Sequence, residues 1–204
     1  MKLVLAVLLT GVATSYAQPS VPHPNTRVRA GPRVGINRTS FVGDGVRDLF
    51  SPDTRTGFQA GGFAMVEFTD YVGFEAGLCY TQKGAPFTVF LPEDVAVEYD
   101  YIQFAMLPIG RAPIGESVRL RGLLGPTVSA NVRTKGEVVG GGSVNLLDFG
   151  LMLGAGIEVV TSAGAFVFDA RYELGLRTVY ECTSDQCHHD VRNEVFMIGG
   201  GFAL

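Results

Sequence analysis

The chain has 204 residues, of which 47% are apolar and only 18% charged, with 27 Gly, no Trp, a mean hydropathy of +0.24 and a net charge of -4. That length suits a single domain of ordinary size, and the lack of any Lys/Arg cluster removes the electrostatic footprint of a nucleic-acid binder. Soluble domains are seldom so apolar, yet past the N-terminus no run approaches the ~18 consecutive apolar residues of a membrane helix.

Met1 and Lys2 precede the apolar run Leu3 to Leu9 and the small-residue stretch Thr10 to Ala17. This is the pattern of a secretory signal, with Ser15 and Ala17 placed for cleavage that leaves Gln18 first. Residues 1–17 are therefore expected to be a signal peptide. Residues 18–32, with Pro19, Pro22, Pro24 and Pro32 and no hydrophobic period, are expected to be a Pro-rich periplasmic tether, and residues 33–204 the folded domain.

From there the chain alternates apolar and polar residues with period two, the signature of β-strands, and shows no sustained helical period. Weak alternation runs from Arg33 to Phe41 and from Thr56 to Phe68. The clearest case is Tyr71 to Lys83, where Val72, Phe74, Ala76, Leu78 and Tyr80 oppose Gly73, Glu75, Gly77, Cys79, Thr81 and Lys83. Val95 to Ile109 and Ser117 to Asn131 follow, with Pro108 and Pro126 expected at strand ends or bulges because Pro cannot donate to a ladder. Leu147 to Val159 and Phe166 to Leu176 again alternate cleanly, and Arg192 to Leu204 completes a set of eight.

The connections take turns in length. Thr69-Asp70, Arg111 to Glu116 and Thr161 to Ala163 are short, whereas Val42 to Arg55, Gly84 to Asp94, Val132 to Asn145 and Thr178 to Val191 are long. An eight-stranded antiparallel up-and-down transmembrane β-barrel produces this pattern, with short periplasmic turns and longer extracellular loops. The expected location is the bacterial outer membrane, both barrel termini periplasmic and the outer face against lipid.

A soluble secreted barrel that binds a ligand would also alternate, with its apolar face inward. The polar face argues for the membrane case. It combines many Gly with charges of both signs, and Lys is scarce (Lys2, Lys83 and Lys135) while Arg, the cation suited to bidentate carboxylate pairing in a confined space, is plentiful. The expected lumen charge network is Glu75, Lys83, Arg119, Arg121, Asp148, Glu158, Asp169, Arg171 and Glu173, with Glu67 on the same face. Arg119 and Arg121, two residues apart, point the same way. An eight-stranded barrel is narrow enough for such side chains to fill it, so no pore is expected. Phe68, Tyr71, Tyr80 and Phe202 are candidates for an interfacial aromatic belt.

The ordered set GFQAGG, GFEAGLCYTQKGA, DYIQFAMLPIG, RGLLGPTVSANV, DFGLMLGAGIEV and FDARYELGL, spanning about Arg33 to Leu204, resembles the PorT-like outer-membrane β-barrel family of Bacteroidota-type bacteria. The resemblance implies an eight-stranded outer-membrane barrel associated with secretion across that membrane, with envelope or secretion-system proteins as partners.

Chemistry-bearing residues gather in the last long loop, ECTSDQCHHD. Cys182 and Cys187 are read as a disulfide, which secretion permits. The alternative is a metal site made of Cys182, Cys187, His188 and His189, although this spacing matches no standard zinc framework. A membrane-embedded hydrolase using His188 and His189 with Ser184, Asp185 and Asp190 stays open as a second function class. No Gly-rich phosphate loop follows a strand, and no cofactor is expected. The leading expectation is a non-enzymatic integral barrel acting as an envelope or secretion-associated interaction component.

Overall fold

The computed structural model describes residues 26–42, 51–52, 54–84, 86–88, 95–96, 98–135, 143–178, 180–181 and 192–204. Eight long strands close into one antiparallel barrel: β1 (Arg27–Val42), β2 (Arg55–Glu67), β3 (Val72–Lys83), β4 (Glu98–Pro113), β5 (Val118–Lys135), β6 (Leu147–Thr161), β7 (Gly164–Gly175) and β8 (Arg192–Ala203). Each pairs with its neighbours in sequence, and β1 pairs with β8 to close the ring. Closure leaves no sheet edge, which a lipid environment requires because it cannot hydrogen-bond free backbone groups.

Connections β2–β3, β4–β5 and β6–β7 are tight and share one end with the start of β1 and the end of β8. Gly115 and Gly164 supply the positive φ values, 123° and 146°, that two of these turns use. At the opposite, loop end, short ribbons continue the structure: Ser51–Pro52 pairs with Pro86–Thr88, which pairs with Val95–Ala96, and Ser143–Val144 pairs with Tyr180–Glu181.

The alternation sorts side chains as its period dictates. Val34, Ile36, Val72, Leu78, Leu124, Leu151, Leu153, Phe168 and Ile198 lie exposed on the outer wall, while Arg33, Glu75, Lys83, Arg121, Glu158, Asp169 and Glu173 are buried inside it. An apolar outside around a charged inside inverts the arrangement of a soluble barrel. Apolar residues also fill part of the lumen, among them Met65, Leu107, Ile109, Leu123, Met152, Val167, Val195 and Met197.

Several expected boundaries change. The tether does not reach Pro32, because Arg27 to Pro32 already pairs with Glu67 to Gly62 of β2. The β1–β8 ladder is interrupted at Gly31 and Pro32, between the Ala30–Leu204 backbone bonds and the Arg33–Gly201 pair. Pro32 has no N–H to offer there, and Gly31 lies so close to the Phe202 carbonyl that no Cβ would fit. This break hides the strand's beginning in the sequence. Val95 and Ala96 belong to the loop ribbon instead of β4, and Arg111, expected in a turn, is an inward-facing residue of β4 paired with Arg121. Arg133, expected in a loop, lies in β5 with its side chain mostly exposed.

Pro108 and Pro126 sit at neither strand ends nor bulges. Both fall in one gap of the β4–β5 seam, since the pairing passes from Ala105–Thr127 to Ile109–Leu123. Each proline keeps a partner on its other side, Phe74 of β3 and Leu151 of β6 respectively. Placing both donor-less residues in one seam confines the loss to one stretch of ladder.

Candidate functional site

The inner wall carries charge in three layers. Nearest the turn end, Arg29 of β1, Arg111 of β4 and Arg119 of β5 surround Glu67 of β2 and Glu158 of β6. Glu158 accepts from Arg111 Nε at 3.1 Å, Arg119 Nη1 at 3.3 Å and Arg29 Nη1 at 3.4 Å, and Arg29 Nη1 also reaches Glu67 at 2.8 Å. Arg119 extends to Asp70 in the β2–β3 turn, 3.8 Å away.

The middle layer joins β1, β3, β5 and β7. Glu75 accepts from Arg33, from Arg121 Nη2 at 2.6 Å and from Arg171 Nη2 at 2.8 Å. Asp169 takes Arg33 Nη2 at 2.9 Å and Arg171 Nη2 at 2.6 Å, and stands 3.4 Å from Arg121 Nε. Arg33 also lies over the Phe63 ring, 4.4 Å from its centroid. All five of these charged residues are buried. Several carboxylate–guanidinium bonds per ion offset the cost of removing such charges from water, a cost that one isolated pair often fails to recover.

Toward the loop end, Lys83 Nζ donates to both carboxylate oxygens of Glu173, at 2.9 and 3.0 Å, and Glu173 Oε1 also accepts from Gln103 and Thr127. Asp148 lies above, bonded by Asn193 Nδ2 at 2.8 Å, and Asn37 bridges to Thr81. Lys83 further lies 5.5 Å from the Tyr101 ring centroid.

Glycine makes this filling possible. A Cβ on Gly150 would stand 2.7 Å from Thr127 Oγ1 and 2.9 Å from Glu173 Oε1, and one on Gly73 would stand 2.6 Å from Arg111 Nη1.

A family model, described as the outer membrane protein beta-barrel domain, matches residues 4–201. The chain belongs to this outer-membrane β-barrel family. Solved structures similar to this outer-membrane barrel include the attachment invasion locus protein Ail of Yersinia pestis, 21% identical over 86% of this chain and 98% of that one, with a TM-score of 0.46. Neisserial surface protein A is 14% identical over 85% and 96%, with a TM-score of 0.49, and the outer membrane enzyme PagL is 15% identical over 80% and 97%, with a TM-score of 0.40. No curated sequence matches.

All nine residues expected to form the lumen network lie on the inner wall of the outer-membrane barrel, but not in a single network. Glu75, Arg121, Asp169 and Arg171 meet in the middle layer, Arg119 and Glu158 at the turn end, and Lys83 and Glu173 toward the loops, while Asp148 bonds Asn193 and none of the other eight. Arg29, Arg33 and Arg111 were missed. Arg29 lay in the expected tether, Arg111 in an expected turn, and Arg33 at a strand boundary where alternation cannot fix a face. A further cluster faces outward near the loop end: Glu194 of β8 accepts from Tyr172 OH of β7 and from Ser40 Oγ of β1 at 3.0 Å. The expected disulfide Cys182–Cys187, and the metal and hydrolase alternatives with Ser184, Asp185, His188, His189 and Asp190, lie outside the described residues. Among the described residues no His, Cys, Asp and Glu group is placed to hold a metal ion.

Proposed function

We propose that this chain is a non-enzymatic, non-conducting outer-membrane barrel that acts as an interaction component of the envelope, with its long loops outside the cell and both termini in the periplasm. The observation that supports it most is the middle layer. Arg33, Arg121 and Arg171 converge on Glu75 from different walls, so charged side chains cross the lumen where a pore would need open space. A barrel with its interior filled this way presents its ends, and the ends differ: tight turns at one, strand ribbons and long loops at the other.

The resemblance to PorT-like barrels favours a secretion-associated partner. In this reading residues 1–17 direct export, and the Cys182–Cys187 disulfide closes the last loop. The chemistry of the inner wall favours the non-enzymatic reading. Its carboxylates Glu67, Glu75, Glu158, Asp169 and Glu173 are bonded to arginine or lysine, whereas acid-base work needs a group within reach of substrate.

The test is photo-crosslinking in the native envelope from positions in residues 84–94 and 136–142. Specific adducts with an envelope protein support the reading. Loss of the protein's cellular role on replacing His188 and His189 by Ala, with adducts and protein level unchanged, contradicts it in favour of the hydrolase.

A further inference from the structure

Four small outward-facing residues line up across the lipid-facing wall. Gly110 of β4 pairs with Gly122 of β5, Gly122 with Ala155 of β6, and Ala155 with Ala170 of β7. Larger side chains stand on both sides of this row: Leu124, Leu153 and Tyr172 pair in turn on its loop side, and Leu120, Ile157 and Phe168 on its turn side. The result is a lane with a backbone floor between two ridges, whose Cα atoms lie four residues and so ~13 Å apart along each strand. Val72 closes the lane beyond β4 and Ile198 beyond β7. On β4 the turn-side position is Ala112, paired with Leu120 and too small to make a ridge, so the lane opens there toward the turn-end rim. This lower part is a groove of about 670 Å³ lined by Tyr71, Ala112, Leu120, Gly122, Ala155 and Ile157.

The two glycines of the floor are not required by packing inside the protein. A Cβ on Gly110 or Gly122 would meet nothing within 4 Å, unlike one on the inward-facing Gly73 or Gly150, which make room for charged side chains. Glycine inside a strand weakens it, and one that no neighbour requires marks a place where a ligand approaches the backbone closely. In hydrocarbon, apolar surface gains nothing from burial alone. Affinity there comes from close packing on several sides of the guest, which a floor between two ridges supplies and a smooth wall does not.

Shape and length select the guest. A second barrel is a broad convex cylinder that meets the ridges before it reaches the floor, whereas an alkyl chain is narrow enough to lie between them. From β4 to β7 the lane runs about 15 Å at ~4.8 Å per strand, and half the hydrocarbon core, the reach of one acyl chain, is also about 15 Å. The rim where the lane opens carries both signs of charge. The Asp70 side chain is 78% exposed with Arg119 3.8 Å away, and Glu116 is exposed in the β4–β5 turn. A headgroup with both phosphate and ammonium finds a partner for each, while a purely anionic one brings nothing to pair with Asp70 and Glu116.

We propose that this lane seats one acyl chain of a zwitterionic phospholipid, its headgroup at the rim formed by Asp70, Arg119 and Glu116 and its chain rising from Ala112 past Gly122 to Ala170. The barrel then carries one lipid of the turn-end leaflet that does not exchange freely with the bulk.

The test refolds the full chain into vesicles of phosphatidylethanolamine and phosphatidylglycerol in equal amounts, then extracts it in mild detergent for native mass spectrometry. The expected result is one phosphatidylethanolamine retained per barrel, in preference to phosphatidylglycerol. Gly122→Phe fills the floor of the lane and is expected to lose the lipid. Ala64→Phe, an equal enlargement on the outer wall of β2 and outside the lane, is expected to keep it. In crystals of the parent barrel with phosphatidylethanolamine brominated on one acyl chain, an anomalous peak is expected between the ridges of Leu120 and Leu124. A parent barrel that retains no lipid, or both lipids equally, overturns the proposal, and so does equal loss from the two variants. Barrels that pair through this wall and separate in Gly122→Phe also overturn it, by placing a second copy in the lane. Should Gly122→Phe fail to fold, the crystals of the parent decide alone: bromine between the ridges supports the site, and its absence contradicts it.

Discussion

Arg121 Nη2 of β5 donates a 2.6 Å hydrogen bond to Glu75 Oε2 of β3, and both side chains are fully buried. Strand β4 separates their two strands, so the bond spans the lumen instead of running along the wall. Replacing Arg121 by Ala leaves Glu75 with Arg33 and Arg171 but removes the member that ties β5 to this layer. Breaking a buried pair costs about 3–5 kcal/mol. The temperature at which the folded band disappears on cold SDS gels should therefore fall clearly for Arg121→Ala. It should stay within a degree or two of the parent for Arg133→Ala, whose 58% exposed side chain lies 4.0 Å from Asp100. Equal behaviour of the two variants would mean a solvated lumen.

Inner and outer glycines should respond differently to an added side chain. Gly150→Val pushes two methyl groups into the space held by Thr127 and Glu173, and overpacking of this kind costs about 1–3 kcal/mol. Gly122 faces outward, and a Cβ there meets nothing within 4 Å. Gly122→Ala should leave the gel transition unchanged. A destabilised Gly122→Ala beside a neutral Gly150→Val would reverse the assignment of inner and outer walls.

The sequence made the barrel legible because alternation is strongest where one wall is charged and the other apolar, as in β3, β6 and β7. It was weakest in β4, where Tyr99, Tyr101, Leu107 and Ile109 all face inward, so that both faces look apolar. The misplaced boundaries share one cause. Gly31–Pro32 reads as a breaker, and Arg111 precedes the Pro113 that reads as a turn, yet pairing on the neighbouring strand carries each through. Which arginine reaches which carboxylate was not readable, because Arg33 meets Asp169 and Arg121 meets Glu75 across the lumen, and such contacts depend on closure. The Ser40–Glu194–Tyr172 cluster joins three strands across the β1–β8 closure and had no local signal either.

Orientation can be read by labelling. An epitope inserted in residues 84–94 or 136–142 should be accessible on intact cells, whereas one at Thr69–Asp70, in a tight turn, should become accessible only after the outer membrane is permeabilised. In the same preparations the protein should remain in the outer-membrane pellet after carbonate washing, because its exposed wall is apolar around the whole barrel. Labelling of the Thr69–Asp70 insertion on intact cells would place the termini outside.

The central claim is that three layers of paired charge close the lumen, and single-channel recording on the purified chain in planar bilayers tests it most directly. An eight-stranded barrel filled by Arg33, Glu75, Lys83, Arg121, Arg171 and Glu173 should insert without stable conductance steps at any holding potential that the bilayer survives. Reproducible steps of constant amplitude, present for the parent chain and enlarged in Arg121→Ala, would contradict it.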